Sequence, residues 1–580
     1  MQFLDTSRIR VRVDQRFAAN DGTQLSVDLY LPADVGRYPA LLIRTAMDNN
    51  HASRSPGATQ TMPAASDRWK GFAAQGFIVA TADVRGRGDS DGAFRPFVHE
   101  ASDGVATVAW LRSLSESNGR IGAFGSGYAA FCAWAAVAAD ARIDAIASIS
   151  PFGAIGEGLC HRGGAVRLDS LFWMHLTGGR TLQPAAVPPW PQVHRCLPII
   201  TMDAALGRND VAWGEWLEHL DTRDAFWAPL TLADRLSSRA IPGLHITGWW
   251  DAHLGGARYY YDAAKRSGTP QTLIIGPWDT AAVRRPTSIV GGTDFGPRSL
   301  IDVDEILMDF FCAQLRDEPN TFANPSTRLF ITGRNEWIES DVWPMRRGSA
   351  RELHLASGGA ANTRRGDGAL SDTAPSAATA DTLTSNPQRP VDFQPNFTSF
   401  AAVAFSLTLD QRHITARDEA LVYTSTPFIE TLTVMGRPIV TLTVSTDVPD
   451  ADLFVLLSDS FPLGLRDLHL SHAAIRLATL EGFSPGEPVT FTLELDDLAH
   501  DFLPAHSARL TVVPSLFPLY ARNPHRTNYL GAAEPTVAVI ELHHGPGSPG
   551  ILDLPAGDCC HLKSSGQNVA RILWNARGSR

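Results

Sequence analysis

Cysteine is scarce in this sequence, and its spacing gives no basis for a structural role. Six cysteines occur among 580 residues, and Cys559 and Cys560 are the only adjacent pair, in a Gly- and Ser-rich tail. No CxxC pair is present, so neither a disulfide framework nor a structural zinc site is supported. We predict no bound metal and no cofactor.

Long apolar runs and a dominant charge are also missing. The longest apolar run, Ala129–Ala139, is too short to span a bilayer, and the first residues lack the apolar stretch of a signal peptide. The 61 acidic and 50 basic residues give a net charge of −11 without long like-charged blocks. This distribution disfavours nucleic acid and membranes as partners. Without a signal peptide or a membrane-spanning run, we expect a cytoplasmic protein, and its 44% apolar residues are enough for several packed domains.

Residues 1–150 and 241–356 alternate strand and helix signals. Short apolar runs such as Pro39–Thr45 and Gly76–Val84 are typical of buried strands, and helical stretches such as Asp103–Leu114 lie between them. Repeated β-α units favour a mostly parallel sheet covered on both faces. The pattern therefore predicts one α/β core built from two separate parts of the chain.

The remaining segments have different compositions. Residues 151–240 contain helix-like pieces interrupted by prolines, which predicts a helical cap over the sheet. Residues 357–390 are rich in Ala, Ser, Thr and Gly, which predicts an exposed linker. Residues 391–580 carry many short alternating strands, the first at Ala401–Leu409, which predicts an all-β sandwich of the jelly-roll type.

Three predicted strands of the core end in suggestive motifs. These are GSGY at 125–128, GWWD at 248–251 and GPWDT at 276–280. In a parallel sheet, ligands bind beyond the carboxyl ends of the strands. An α/β-hydrolase supplies its nucleophile, acid and histidine in that chain order from such ends.

With these motifs the sequence resembles the α/β-hydrolase family of cocaine esterase, X-Pro dipeptidyl-peptidase and α-amino-acid ester hydrolase. The resemblance covers nearly the whole chain and is also carried by DG at 21–22, DLY at 28–30, RT at 44–45, DVRGRG at 83–88 and RNP at 522–524. It implies an α/β-hydrolase core, a helical cap and a C-terminal jelly roll. It also makes a homo-oligomer plausible.

The sequence departs from the family pattern at three of four working positions. The family elbow reads Gly-x-Ser-Tyr-x-Gly, which places Gly127 where the nucleophilic serine belongs. Thr280 stands at the position of the histidine, and Met47 at that of the oxyanion tyrosine. Only Asp251, the acid, matches. Because acyl transfer needs a hydroxyl, a base and an oxyanion donor, we predict that triad hydrolysis is lost.

A repurposed enzyme is the leading hypothesis. Asp251, His253 and Asp279 are candidate acids or bases for elimination, isomerisation or cyclisation of a small organic molecule, such as a secondary metabolite. Seven residues are predicted to line the pocket: Met47, Ser126, Gly127, Tyr128, Trp250, Trp278 and Thr280.

Other interpretations stay open. The protein could be a residual ester or amide hydrolase that uses Ser126, or a pseudoenzyme that binds a ligand without converting it. Asp251 is as well explained by a buried acid with satisfied hydrogen bonds, and Asp279 by a helix cap. His253 could be a structural or surface residue, and the tryptophans would pack the interior with or without a ligand.

Overall fold

Two eleven-stranded sheets organise the chain. The computed structural model describes residues 6, 8–47, 49, 65–153, 159–183, 188–207, 211–318, 327–340, 343, 350–393, 408–556 and 563–564. Most of the predicted strand Ala401–Leu409 and the Cys559–Cys560 pair lie outside these residues.

The first sheet forms the core of the N-terminal part. The strands in this part are β1 Arg10–Ala18, β2 Gln24–Leu31, β3 Tyr38–Thr45, β4 Ile78–Asp83, β5 Ser117–Gly127, β6 Ala145–Pro151, β7 His161–Arg162, β8 Ala165–Val166, β9 Gly243–Trp250, β10 Gln271–Asp279, β11 Ile289–Val290, β12 Thr293–Asp294, β13 Thr327–Ile331 and β14 Glu336–Ser340. The order in the sheet is β1-β2-β4-β3-β5-β6-β9-β10-β13-β14, followed by the edge strand Lys563–Ser564. From β4 to β13 all neighbours are parallel.

Helices cover both faces of this sheet. In chain order the helices of this part are α1 Ala65–Ala74, α2 Glu100–Ser113, α3 Tyr128–Ala138, α4 Asp169–Thr177, α5 Trp190–Val193, α6 Val211–Glu218, α7 Ala233–Ser237, α8 Leu254–Lys265, α9 Thr280–Arg284 and α10 Val303–Arg316. Every residue of α3 is buried, because its many alanines let it pack closely between the sheet and α2. Among the described residues, no helix is both long and apolar enough to cross a membrane.

The segment between β6 and β9 forms the cap. It contains the β7–β8 hairpin, helices α4–α7 and two 3-10 helices, Ile199–Leu206 and Ala225–Leu230. Its interior is aromatic, and five tryptophans are buried there: Trp173, Trp190, Trp213, Trp216 and Trp227. Large rings supply much apolar area per residue, which lets short helices form a stable layer.

The second sheet is the C-terminal all-β domain. Its strands and those packed with it are β15 Arg351–Ala356, β16 Ala369–Ser371, β17 Thr379–Ser385, β18 Leu421–Ser425, β19 Leu432–Gly436, β20 Ile439–Thr446, β21 Asp452–Ser460, β22 Asp467–Arg476, β23 Val489–Glu494, β24 Leu498–Phe502, β25 Ser507–Val513, β26 Ala538–His544 and β27 Ile551–Leu554; β28, Lys563–Ser564, is the edge strand of the first sheet. The main order is β17-β26-β20-β27-β15-β16-β18-β25-β21-β22, with β23 beside β20 and a separate β19–β24 pair. A short helix, α11 Arg412–Thr415, precedes β18.

The prediction of an exposed linker at 357–390 is wrong. This segment contains β16 and β17, and β17 pairs along its whole length with β26. The side chains of β17 alternate between buried and exposed positions, with Asp381 and Leu383 facing inward. Its composition hid this alternation, because small polar residues suit both a loop and a half-buried strand.

Candidate functional site

A sharp turn joins β5 to α3 at the centre of the carboxyl edge of the sheet. Gly127 forms the apex, with φ +61° and ψ −121°, a conformation that favours glycine. Two residues earlier, a Cβ atom on Gly125 would lie 2.4 Å from the backbone carbon of Ala129. The strand and the helix therefore approach each other too closely for any other residue at position 125.

Arg284, a residue that the sequence analysis missed, reaches this turn from the end of α9. Its Nε donates a hydrogen bond to Ser126 Oγ at 2.9 Å. A Cβ atom added to Gly127 would lie 3.4 Å from Arg284 Nη2, so the guanidinium borders the space of a side chain at the apex. Protein atoms around Arg284 lower its pKa, and the charge of Asp251 opposes this effect. Since the side chain remains exposed to solvent, the guanidinium keeps its charge at neutral pH.

Asp251 is buried and accepts four hydrogen bonds. Ser150, Thr247 and Thr280 each donate a hydroxyl at 2.8 Å, and the backbone N–H of His253 donates at 3.2 Å. Burial raises the pKa of Asp251, and the hydroxyl donors partly offset this rise. The carboxylate is thus already satisfied by its own surroundings.

Thr280 and Asp279 are both engaged in the turn that begins α9. Besides donating to Asp251, Thr280 Oγ1 accepts a hydrogen bond from the backbone N–H of Ala252 at 3.0 Å. Asp279 caps the helix by accepting from the N–H of Ala282 at 2.9 Å. The catalytic roles suggested for Asp251 and Asp279 remain predictions, and both carboxylates hold structural bonds.

His253 lies beside the turn with its ring half-buried. It packs edge-on against Phe152, with ring centroids 4.2 Å apart. Burial lowers the pKa of His253 well below its usual value, and the charges of Arg167 and Arg284 lower it further. The imidazole is therefore neutral at pH 7. Phe152 in turn donates its N–H to the carbonyl of Gly127 at 3.2 Å, which places this aromatic pair next to the apex.

Four predicted pocket residues differ in their access to this region. Tyr128 is buried, and its hydroxyl donates to Glu100 and accepts from the N–H of Phe97. Met47 is partly exposed after the end of β3. The two tryptophans are interior residues whose indole N–H groups donate to backbone carbonyls, Trp250 to His469 and Trp278 to Ser299.

Trp278 is fully buried, so the prediction that it lines a ligand pocket is wrong. Its ring packs against Trp337, with centroids 5.8 Å apart. Trp250 packs at a tilt against Phe295, with ring centroids 5.1 Å apart, and its indole N–H connects the core to β22 of the second sheet. It borders a small cavity of about 50 Å³ that Asp251 and Thr280 also line.

A larger pocket of about 460 Å³ lies between the cap and the loop that follows β4. Its walls include Phe94, Phe97 and Trp216, and an ion pair between Arg95 and Glu215 lies at its edge. The rings of Phe94 and Phe97 also contact that of Tyr128, with centroids 6.0 and 5.2 Å away. The pocket thus adjoins the aromatic cluster around Tyr128, while Ser126 and Gly127 do not line it.

Metal ligands are not clustered in the part of the chain that the structure describes. No group of three or more His, Cys, Asp or Glu side chains there could hold a metal ion. Near the turn at Gly127, the ionisable side chains described above are two carboxylates with hydrogen-bond donors, Asp251 and Asp279, one neutral imidazole and one exposed guanidinium.

Comparisons with known proteins agree with this architecture. Residues 21–280 match the X-Pro dipeptidyl-peptidase (S15 family) model, and residues 320–553 match that of the X-Pro dipeptidyl-peptidase C-terminal non-catalytic domain. Cocaine esterase from Rhodococcus sp. (strain MB1 Bresler) is 29% identical over 568 residues, which cover 92% of this chain and 96% of that protein.

Solved structures show the same fold over almost the full length. An α-amino acid ester hydrolase superposes with a TM-score of 0.82 at 25% identity, covering 96% of this chain and 98% of its own. An aminopeptidase from a marine sediment archaeon, Thaumarchaeota archaeon, gives a TM-score of 0.81 at 23% identity, covering 96% and 97%. The predicted α/β core with a C-terminal β domain is confirmed, and the chain belongs to the cocaine esterase and X-Pro dipeptidyl-peptidase family of α/β-hydrolases.

Proposed function

We propose that this chain is a repurposed family member that has lost triad hydrolysis and converts a small organic molecule by proton transfer. Elimination, isomerisation and cyclisation are the reaction classes that need a positioned base and a shaped site but no serine nucleophile. The observation that carries the proposal is the hydroxyl of Thr280 bonded to Asp251, where the triad would require an imidazole. The glycine at the apex of the turn supports the same proposal, because it supplies no hydroxyl nucleophile.

His253 is the residue that we assign as the base. Its imidazole is unprotonated at pH 7, because burial lowers its pKa, and its ring nitrogens have no hydrogen-bond partner among the described residues. Asp251 would act on it as a positioning residue, since it accepts the hydrogen bond from the His253 backbone. This differs from the leading sequence hypothesis, in which Asp251 itself transfers the proton.

A pseudoenzyme that binds its ligand without converting it is the second candidate. It is favoured by the complete hydrogen bonding of Asp251 and by the lowered pKa of His253, which makes its imidazole a weak base near pH 7. Residual hydrolysis through Ser126 has less support. The Ser126 hydroxyl accepts from a guanidinium, and an arginine does not take up a proton near neutral pH.

Product masses distinguish these three functions. The purified protein is incubated with an extract of its source cells, and mass spectrometry compares the result with a heat-inactivated control. We expect a product of unchanged mass, or lighter by one water. It should be absent with His253→Gln but present with Ser126→Ala and with His219→Gln, a matched histidine control in the cap.

Two other results would contradict the proposal. A product that has gained water, together with labelling by a fluorophosphonate probe that Ser126→Ala abolishes, would establish hydrolysis. Retention of one compound without conversion would establish a binding protein.

A further inference from the structure

We infer that Arg284 binds the carboxylate group of a small, largely apolar ligand at the turn between β5 and α3. This inference rests on the proposed function in one respect, namely that the strand ends hold a small organic molecule. It adds the chemical class of that molecule and assigns the residue that recognises it.

The guanidinium of Arg284 is held in place yet partly unused. The bond from Nε to Ser126 Oγ fixes one edge of the group, and Nη2 lies beside the apex at Gly127. Neither Nη atom has a hydrogen-bond partner among the described residues, and the side chain is exposed to solvent. The two Nη atoms therefore present a free pair of donors, the arrangement that matches the two oxygens of a carboxylate.

The charge at the turn indicates a ligand with a single negative charge. Among the residues described, no carboxylate forms an ion pair with Arg284. Arg167, the other arginine that acts on His253, is already paired with Asp169. Asp251 is occupied by its four donors, and His253 is neutral. One positive charge is thus left without a partner, which suits a monocarboxylate better than a phosphate with its higher charge.

The neighbouring surface indicates an apolar body for the same ligand. Phe152 is bonded through its backbone to Gly127, and its half-buried ring also packs against Trp173, with centroids 5.6 Å apart. An aromatic surface next to a lone guanidinium is suited to an arylalkanoic or similar hydrophobic acid.

Calorimetric titration with phenylacetate and phenylacetamide tests this inference. The two probes have nearly the same shape and differ in charge. We expect the wild-type protein to bind phenylacetate, and Arg284→Met to weaken that binding roughly 10- to 100-fold, as expected for loss of a charge-assisted bidentate pair. Arg285→Met, a change of the adjacent arginine, should leave the dissociation constant unchanged.

Three outcomes would overturn the inference. They are no phenylacetate binding at millimolar concentration, equal binding by the wild type and Arg284→Met, and equal affinity of the wild type for the acid and the amide. None of these results bears on the product masses that test the proposed function. Failure of the carboxylate site and failure of the non-hydrolytic reaction are therefore distinguishable.

Discussion

Replacement of Asp251 tests whether this carboxylate acts through its charge or as an acceptor of hydrogen bonds. Asp251→Ala leaves three buried hydroxyls and one backbone N–H without their acceptor. An unsatisfied buried donor costs about 1 to 3 kcal/mol, and partial rearrangement of the hydroxyls reduces the sum. We therefore expect the free energy of unfolding to fall by about 3 to 5 kcal/mol.

Asp251→Asn should behave differently. The amide oxygen can replace Oδ1, which accepts three of the four bonds, and the amide nitrogen would face the hydroxyl of Thr247. That hydroxyl can rotate and accept. Because burial opposes the charged form of Asp251, removal of the charge also relieves a cost. We expect a change within about 1 kcal/mol.

Urea unfolding followed by tryptophan fluorescence measures both variants. Asp302→Asn provides the control, since Asp302 is an exposed helix cap at which asparagine is an equally good residue. The reasoning is refuted if Asp251→Ala costs less than about 1 kcal/mol, or if the asparagine variant is as unstable as the alanine variant. The second result would mean that the negative charge itself is required.

Three further variants test other parts of the fold. Burial and the charge of Asp450 raise the pKa of Asp452 to about 8, so its contribution to stability should fall as the pH rises from about 4 to 8. In Asp452→Asn, the melting temperature should decline less steeply as the pH rises through this range. If the wild type and the variant show the same pH dependence, Asp452 does not titrate as described. Gly127→Ala should cost about 1 to 2 kcal/mol in urea unfolding, because of the positive φ; no loss of stability would contradict the argument. Arg87 is fully buried and donates to carbonyls of Ala46 and Thr177, so Arg87→Met should cost roughly 3 kcal/mol and speed proteolysis of the cap. Proteolysis at the wild-type rate would argue against that role.

The sequence was sufficient for the main lines of the fold because its hydrophobic patterns are local. Buried runs such as that of β4 are uninterrupted, as expected for central parallel strands, and the strand-end motifs at 248–251 and 276–280 follow them directly. The segment of β17 was misread for the opposite reason. Its alternation depends on which face of the second sheet is buried, and this is set by β26, more than 150 residues later in the chain.

The candidate site was only partly predictable. Gly127, Thr280 and Asp251 could be found because they occupy fixed positions in recognisable motifs. Arg284 could not, since no motif contains it; the only signal was its position four residues after Thr280, on the same face of a helix.

The sequence by itself determined the order of the segments, the glycine turn after β5 and which side chains stand at the three strand ends, because each follows from local pattern or residue identity. Only the tertiary structure decided how those side chains are used. The hydroxyl groups that donate to Asp251 come from β6, β9 and the start of α9, and the guanidinium of Arg284 meets Ser126 across 158 positions of the chain. Such contacts depend on how elements that are distant in sequence pack together, which local sequence patterns do not predict.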